Sequence, residues 1–436
     1  MPHEPHVPKI DPARRPAPAG PAADAPGNPA HREWAAAGLP EPDLDVIRGY
    51  RLERLRAQLR ARDVAGALLT DPLNLRYALD APNMQVWCAH NPVRYAFIAA
   101  DGPAVLFDFH NCAHLSEHLP LIAERRPARA WFYFESGPRE NEHARLWAAE
   151  IADLVARHGG GNRRLAIDKC DAPGVAALEA LGVDVLSGQA FTEEARKLKH
   201  PEEIAAMRRA LHTAETAMAE MWRALEPGLT ENQLWSVLHA ANIARGGEWI
   251  ETRLLTSGPR TNPWFAECAD RVIEAGDIVS FDTDLIGPYG YCADISRSWV
   301  TPGRAPNDAQ RRLHDIALEM IAHNIEIAAP GVGFAELTQH SHALPEACIP
   351  NRYSVLAHGV GLCDEYPAIR YREDWAASGY DGVMEPGMVL CFEAYVGEAG
   401  GAEGVKLERQ VLLTETGTEI LDTFPLALVP ASAAAS

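Results

Sequence analysis

No stretch of this 436-residue chain approaches the ~18–20 consecutive apolar residues that a helix needs to cross a bilayer, which excludes a protein built on membrane spans. The N-terminus lacks an apolar h-region. Residues 1–31 are rich in proline and alanine, carry Arg14 and Arg15 among several acidic residues, and do not read as a signal peptide. There is no run of lysine or arginine, and 40 basic against 60 acidic side chains leave a net charge of −20. That balance argues against nucleic acid or an anionic membrane as a main partner. Cysteine never clusters: Cys88, Cys112, Cys170, Cys268, Cys292, Cys348, Cys363 and Cys391 show no CxxC spacing. They predict reduced thiols and a cytoplasmic protein rather than a disulfide framework. What is present, 47% hydrophobic and 23% charged residues, is an ordinary soluble composition, long enough for two or three domains.

Three regions follow along the chain. Residues 1–45 form a Pro/Ala-rich arm, expected to be disordered alone or laid against another surface. Residues 46–190 read as a mixed α/β domain. A helix over 46–62 carries Ile47, Tyr50, Leu52, Leu55 and Leu59 at helical spacing, and strand-like runs follow at 65–69, 96–100, 104–109, 130–134 and 164–167. In residues 191–436, Pro201 opens a helix whose Ile204, Met207, Leu211, Met218 and Leu225 recur three, four or seven apart, before Pro227-Gly228. Further helices are expected over 230–245 and 307–328.

The strongest local signal is Asp277-Ile-Val-Ser-Phe-Asp-Thr-Asp284, followed by Gly290-Tyr-Cys-Ala-Asp294. Strand side chains alternate, so Asp282 and Asp284 share a face. The turn at 287–290 folds the next strand back and brings Asp294 near them. Three carboxylates on one sheet face repel unless cations fill the gap, although a solvated acidic hairpin has the same pattern. Downstream, His358-Gly-Val-Gly361 sets a histidine beside glycines, Met388-Val-Leu-Cys-Phe-Glu393 puts a glutamate at the end of an apolar strand, and Gly404-Val-Lys-Leu-Glu408 repeats that arrangement, with Arg409-Gln-Val-Leu-Leu413 continuing the strand. A lone strand-end glutamate is usually an exposed end. Two of them with the histidine and the aspartates suit two divalent cations held by oxygens and one nitrogen.

This order of motifs resembles the creatinase/prolidase/methionine-aminopeptidase superfamily, the pita-bread fold, which uses Asp, Asp, His, Glu and Glu in this sequence order. The matching positions are Asp282 or Asp284, Asp294, His358, Glu393 and Glu408. Leu69-Thr-Asp-Pro-Leu-Asn-Leu-Arg-Tyr77 and Arg196-Lys-Leu-Lys-His-Pro-Glu-Glu-Ile204 also look like the family's N-terminal domain and linker. The resemblance covers about residues 46–425. It implies an α/β (α+β) chain: a creatinase-like mixed α/β domain followed by a pita-bread catalytic domain, usually dimeric. The arm at 1–45 is then expected to pack on the partner of a homodimer.

Departures from the peptidases narrow the activity. Their glycine motif ends in a second histidine, HGxGxxxHE, whereas His358-Gly-Val-Gly-Leu-Cys-Asp-Glu365 carries Asp364 there. Their NPH-like segment is Asn262-Pro-Trp-Phe265, with Trp264 in place of the histidine. The Asp282–Asp294 spacing leaves open which of Asp282 and Asp284 is the principal ligand. Creatinase-like hydrolases have lost the ligands that this chain keeps. The branch it resembles is the metal-dependent dimethylsulfoniopropionate (DMSP) lyases, the DddP type, which share the extra aspartate at 284, the aspartate at 364, Tyr353-Ser-Val-Leu-Ala-His358, the Pro-rich arm and the His90-Asn-Pro-Val-Arg-Tyr95 region.

That resemblance implies two divalent metal ions, iron before manganese, zinc or cobalt, and a small zwitterionic substrate cleaved by β-elimination. Asp364 is the expected general base, with Tyr353 as the alternative. The sulfonium is expected on aromatic faces, where each contact contributes roughly 0.5–2 kcal/mol. Trp264 leads, Tyr353 is a second candidate, and Trp87, Trp299 and Tyr366 are weaker ones. Two rival readings remain at this stage: a metal-dependent Xaa-Pro peptidase that tolerates the missing histidines, and a silent binding protein on the same fold.

Overall fold

The computed structural model describes residues 27–430. Its first sheet has the order β4-β3-β2-β1-β5-β6. The strands are β1 (Gly66–Leu69), β2 (Tyr95–Ala99), β3 (Ala104–Asp108), β4 (Glu124–Pro127), β5 (Arg164–Ile167) and β6 (Asp184–Ser187). Alternation divides β1–β3 cleanly. Ala67, Leu69, Ile98 and Leu106 join one core with Leu52, Leu55 and Leu59 of the helix Leu44–Ala61, while Leu68, Phe97, Val105 and Phe107 pack with Trp147, Ile151 and Leu154 of the helix Glu140–His158. The strand expected over 130–134 does not form. There the chain enters the short helix Tyr133–Ser136 with Tyr133 and Phe134 exposed. The place beside β3 is taken by the polar β4, whose half-open side chains suit a sheet edge.

Residues 1–26 of the expected arm lie outside the described residues. The next part is laid against its own chain: in the helix Pro29–Ala36, buried Trp34 donates its indole N–H to the Arg209 carbonyl at 3.1 Å, and Glu33 pairs with Arg245. Pro201 does open a helix, Pro201–Ala224, capped reciprocally by His200 and Glu203. It buries Ile204, Met207, Leu211, Met218 and Met221 along one face, each burial contributing about 1.5–3 kcal/mol.

Beyond it, β7 (Leu255–Ser257), β8 (Ile278–Asp282), the pair β9 (Leu285–Ile286) and β10 (Cys292–Ala293), and β11 (Ser296–Val300) form one half of a two-part layer. The other half is β12 (Ala357–Val360), β13 (Asp364–Ile369), β14 (Val389–Val396), β15 (Val405–Leu413) and β16 (Thr418–Ile420), in the order β13-β12-β14-β15-β16. Side chains tie the halves together. The Ser298 hydroxyl donates to the Lys406 carbonyl and accepts from the Lys406 amide. Arg297, fully buried, pairs with Asp422 and donates to the carbonyls of Ser296, Glu408, Phe424 and Pro425. This fixes β15, and with it Glu408, against β11.

Candidate metal centre

β8 lies between β11 and β7, so it is buried along its length, and it delivers Asp282 into the interior with 2% exposure. The ladder to the returning strand then pauses for Thr283 and Asp284 and resumes at Leu285 in the same register. Thr283 bridges the gap: its hydroxyl donates to the Ala293 carbonyl at 2.7 Å and accepts from the Ile295 amide at 3.0 Å. Asp284 occupies the left-handed region at φ 34°, which costs a non-glycine residue of order 1 kcal/mol. Its carboxylate accepts from the Thr252 hydroxyl at 2.6 Å and its carbonyl from the Glu251 amide at 2.9 Å. Ligand atoms of Asp282, Asp284 and Asp294 come within 4.8 Å of one another, as strand alternation predicted, although the strand is interrupted between the first two.

The second sheet supplies the rest. Glu393 on β14 and Glu408 on β15 are direct cross-strand partners, where like charges destabilise a ladder unless a cation stands between them. His358 on β12 sets its Nε2 3.2 Å from Glu393, 3.5 Å from Asp294 and 3.8 Å from Glu408. One cation of the chain itself enters the cluster: Lys406, fully buried, lies 2.6 Å from Glu393, 3.0 Å from Asp282 and 3.6 Å from Glu408. The Ser296 hydroxyl bridges Asp282 and Glu408 at 2.7 and 2.8 Å.

The electrostatics follow from this crowding. Burial raises Asp282, but Lys406 and hydrogen bonds from Glu408 and Ser296 outweigh it and hold the carboxyl at about 2. Asp284 is pushed up to about 8 by burial and then by the charges of Asp282 and Asp364. Burial and neighbouring carboxylates likewise drive Asp294 and Glu408 well above the usual range. One oxygen of each, Asp294 Oδ1 and Glu408 Oε1, is buried without a hydrogen-bond partner. Five buried carboxylates and an imidazole against one ammonium leave a negative excess that fits divalent cations, with hard oxygen donors and one nitrogen in place.

The other sequence-selected residues fall on both sides of that line. Asp364, at the start of β13, lies 3.8 Å from His358 Nδ1 with 58% of its side chain open. Tyr353 has two ring neighbours: Lys406 Nζ lies 4.4 Å from the centre of its ring, and Phe265 stacks on it at 5.0 Å. Trp264 is buried beside Tyr395 and 5.9 Å from Lys406, its indole N–H unpartnered. Tyr366 is not brought to the cluster, its ring packing on Tyr380 and Phe334. Trp299 is core, against Phe281 and Trp222, and Trp87 lies out by Phe109. Sequence reasoning passed over Lys406, Ser296, Thr252, Phe265 and Cys391, whose sulfur joins the group of Asp294, His358 and Glu408. Lys406 and Cys391 each stand two residues before a cluster glutamate on the same strand face, a signal that was available.

Comparison with known proteins bears on this geometry. Residues 205–415 match the model of metallopeptidase family M24. The chain is 49% identical to the dimethylsulfoniopropionate lyase DddP of Roseovarius nubinhibens, over 90% of this chain and 89% of that protein. It is 45% identical to the protein of the same name from Roseobacter denitrificans, over 91% and 90%. Among solved structures, an Xaa-Pro dipeptidase from Bacillus anthracis superposes with a TM-score of 0.70 at 22% identity, covering 87% of this chain and 98% of its own, a likeness of fold.

Proposed function

This chain belongs to the DddP family of dimethylsulfoniopropionate lyases, and from that membership we propose that it cleaves DMSP to dimethyl sulfide and acrylate by metal-assisted β-elimination. The observation that carries the reading is Asp364: an open carboxylate 3.8 Å from the histidine of a complete carboxylate cluster. Desolvation among the surrounding protein atoms, together with Asp282 and Glu393, raises its pKa, and the His358 ring opposes them. A more basic carboxylate is a better proton acceptor near neutral pH.

Asp282, Asp284, Asp294, His358, Glu393 and Glu408 would hold two divalent cations, with iron our first choice before manganese, zinc and cobalt. Bound there, the ions would neutralise the substrate carboxylate and stabilise charge developing on the carbon beside it. Asp364 takes the proton from that carbon. The C–H electron pair becomes the C=C bond, the C–S bond breaks, and sulfur leaves with its electron pair as neutral dimethyl sulfide. Trp264 offers the sulfonium an aromatic face. Tyr353, with Lys406 Nζ 4.4 Å from its ring centre and Phe265 stacked on it, brings its hydroxyl as the alternative base. We extend the proposal to a cytoplasmic homodimer, which light scattering would refute by finding a monomer at micromolar concentration.

The deciding experiment is incubation of the metal-loaded protein with DMSP and measurement of dimethyl sulfide in the headspace. Hydrolysis of Xaa-Pro dipeptides with no dimethyl sulfide would overturn the reading in favour of a peptidase.

A further inference from the structure

A buried ionic group lies behind the turn that carries Asp364. Lys199 Nζ stands 3.0 Å from the Glu365 carboxylate and Arg196 Nε stands 3.5 Å from it, all three side chains being almost without solvent access. Arg196 also pairs with Glu193 and donates to the Asn74 side-chain oxygen, and the Asn74 amide donates in turn to buried Asp168 at 3.0 Å. The group thus joins the helices Pro72–Leu79 and Gln189–Arg196 to the β12–β13 turn. None of the six proposed metal ligands belongs to it.

What the group holds is the backbone on both sides of Asp364. Glu365 Oε1 accepts from the Leu362 amide at 2.9 Å, and Glu193 Oε2 accepts from the Tyr366 amide at 2.9 Å. Alternation along β13 sends Glu365 to the buried face and Asp364 to the other, where it lies 3.8 Å from His358 Nδ1. A register slip of one residue would exchange the two carboxylates. Gly361 makes room for the arrangement, since a Cβ there would run into the Glu365 carboxylate. Apolar packing would join these segments without the desolvation cost of buried ions. A carboxylate with its counter-ions adds what packing lacks, a fixed direction for the two amides that flank Asp364.

We infer that Lys199, Arg196, Glu193 and Glu365 are positioning residues for Asp364. The two cations fix the two carboxylates, and the carboxylates fix the turn that presents Asp364 beside the metal centre. The inference rests on the proposed role of Asp364 as the base. A base must sit within hydrogen-bond reach of the proton it takes, and misplacing a reacting group by about 1 Å can cost on the order of 10²-fold in rate. A loosened turn therefore costs turnover even where metal and substrate still bind.

The test compares the metal-loaded wild type with Lys199→Met, Lys199→Arg and Glu193→Ala, measuring metal content and far-UV spectrum for each. Lys199→Met should lower kcat for DMSP by about 10–100-fold, with KM within about twofold of the wild type and metal content unchanged. Lys199→Arg, which keeps the charge, should recover most of the loss. Glu193 is 34% open, so Glu193→Ala keeps the fold even where Lys199→Met does not, and its kcat should fall about three- to tenfold. Hydrogen exchange read by mass spectrometry should show residues 361–366 exchanging faster in both weakened variants. In an Asp364→Asn background, Lys199→Met should lower the residual rate by less than about twofold, because the group it positions is gone. A kcat within about twofold of the wild type in folded Lys199→Met, or in Glu193→Ala where the former does not fold, would overturn the inference. A full loss added on top of Asp364→Asn would do the same, being the mark of a general structural role. Absence of dimethyl sulfide from the wild type, or near-normal turnover of Asp364→Asn, would overturn the proposed reaction or its base, with the exchange result still deciding whether these side chains hold the turn.

Discussion

The Lys406 ammonium stands 2.6 Å from the Glu393 carboxylate and 3.0 Å from Asp282, with no solvent access. It occupies the position between strands where Glu393 and Glu408 would otherwise face each other as bare like charges. Burial alone would lower its pKa, but Asp282, Glu393 and Glu408 raise it well above the ordinary lysine value, so the group stays charged. Lys406→Met keeps the length and removes the charge. In the metal-free protein it should lower the unfolding free energy by about 3–5 kcal/mol, the usual consequence of breaking a buried ion pair. Denaturant unfolding without metal checks this, and a change under about 1 kcal/mol would mean that the carboxylates do not depend on the ammonium.

Protons and metal compete for the same oxygens. Asp284 titrates at about 8 in the metal-free fold, and Asp294 and Glu408 are also raised. A carboxyl whose folded pKa exceeds its unfolded value stabilises the fold below the unfolded pKa, near 4, and that contribution disappears as the pH rises through about 8. The metal-free protein should therefore lose melting temperature between about pH 5 and pH 8 through these groups. Metal loading at pH 7 should release protons, and metal affinity should rise with pH over the same window. Titration calorimetry in buffers of different ionisation enthalpy measures the release. A value of zero would contradict the raised carboxyls.

Much of this centre was legible because strand periodicity and chain order both pointed to it. The turn at 287–290 and the meeting of Asp282, Asp284 and Asp294 needed only turn chemistry and a count of motifs. β8, however, stops at Asp282 and leaves Asp284 outside the strand. Glu393 and Glu408 stand within β14 and β15 and not at strand ends, because each strand runs on past its glutamate. What remained hidden came from contacts between distant segments. Thr252 meets Asp284 from 32 residues away, and Lys406 reaches Asp282 across 124. The aromatic run at 130–134 read as a strand because an exposed helix turn can be as apolar as a core strand, while the polar β4 escaped notice as an edge. Tyr366 sits two residues from Asp364, yet its ring joins Tyr380 instead of the cluster.

Removing a ligand should uncouple the centre as a unit. His358→Ala, Glu393→Ala and Glu408→Ala should each lower bound metal and DMSP cleavage together, with the far-UV spectrum largely kept, since the sheet's backbone ladder does not use these side chains. Chelation of the wild type should have the same effect, and readdition of iron, manganese, zinc or cobalt in turn ranks the ions by restored rate. Normal metal stoichiometry in all three variants would defeat the assignment.

The sharpest test of the chemistry is Asp364→Asn, which keeps nearly the same shape and removes the proton acceptor. Asp364 is 3.8 Å from His358 Nδ1, while the cluster carboxylates gather around Nε2, so the substitution leaves all six proposed ligands in place. Metal content should be unchanged. DMSP should still bind, because its carboxylate and sulfonium would meet groups other than Asp364. Turnover should fall by roughly 10²–10⁴, the usual contribution of a positioned base, and the fall should appear in kcat. Trp264→Ala should differ, weakening binding with less effect on the chemical step. Loss of metal from Asp364→Asn would make Asp364 a support of the cluster. Retained metal with near-normal turnover would transfer the role of base to Tyr353. Tyr353→Phe would then be the variant that loses activity while its stacking survives.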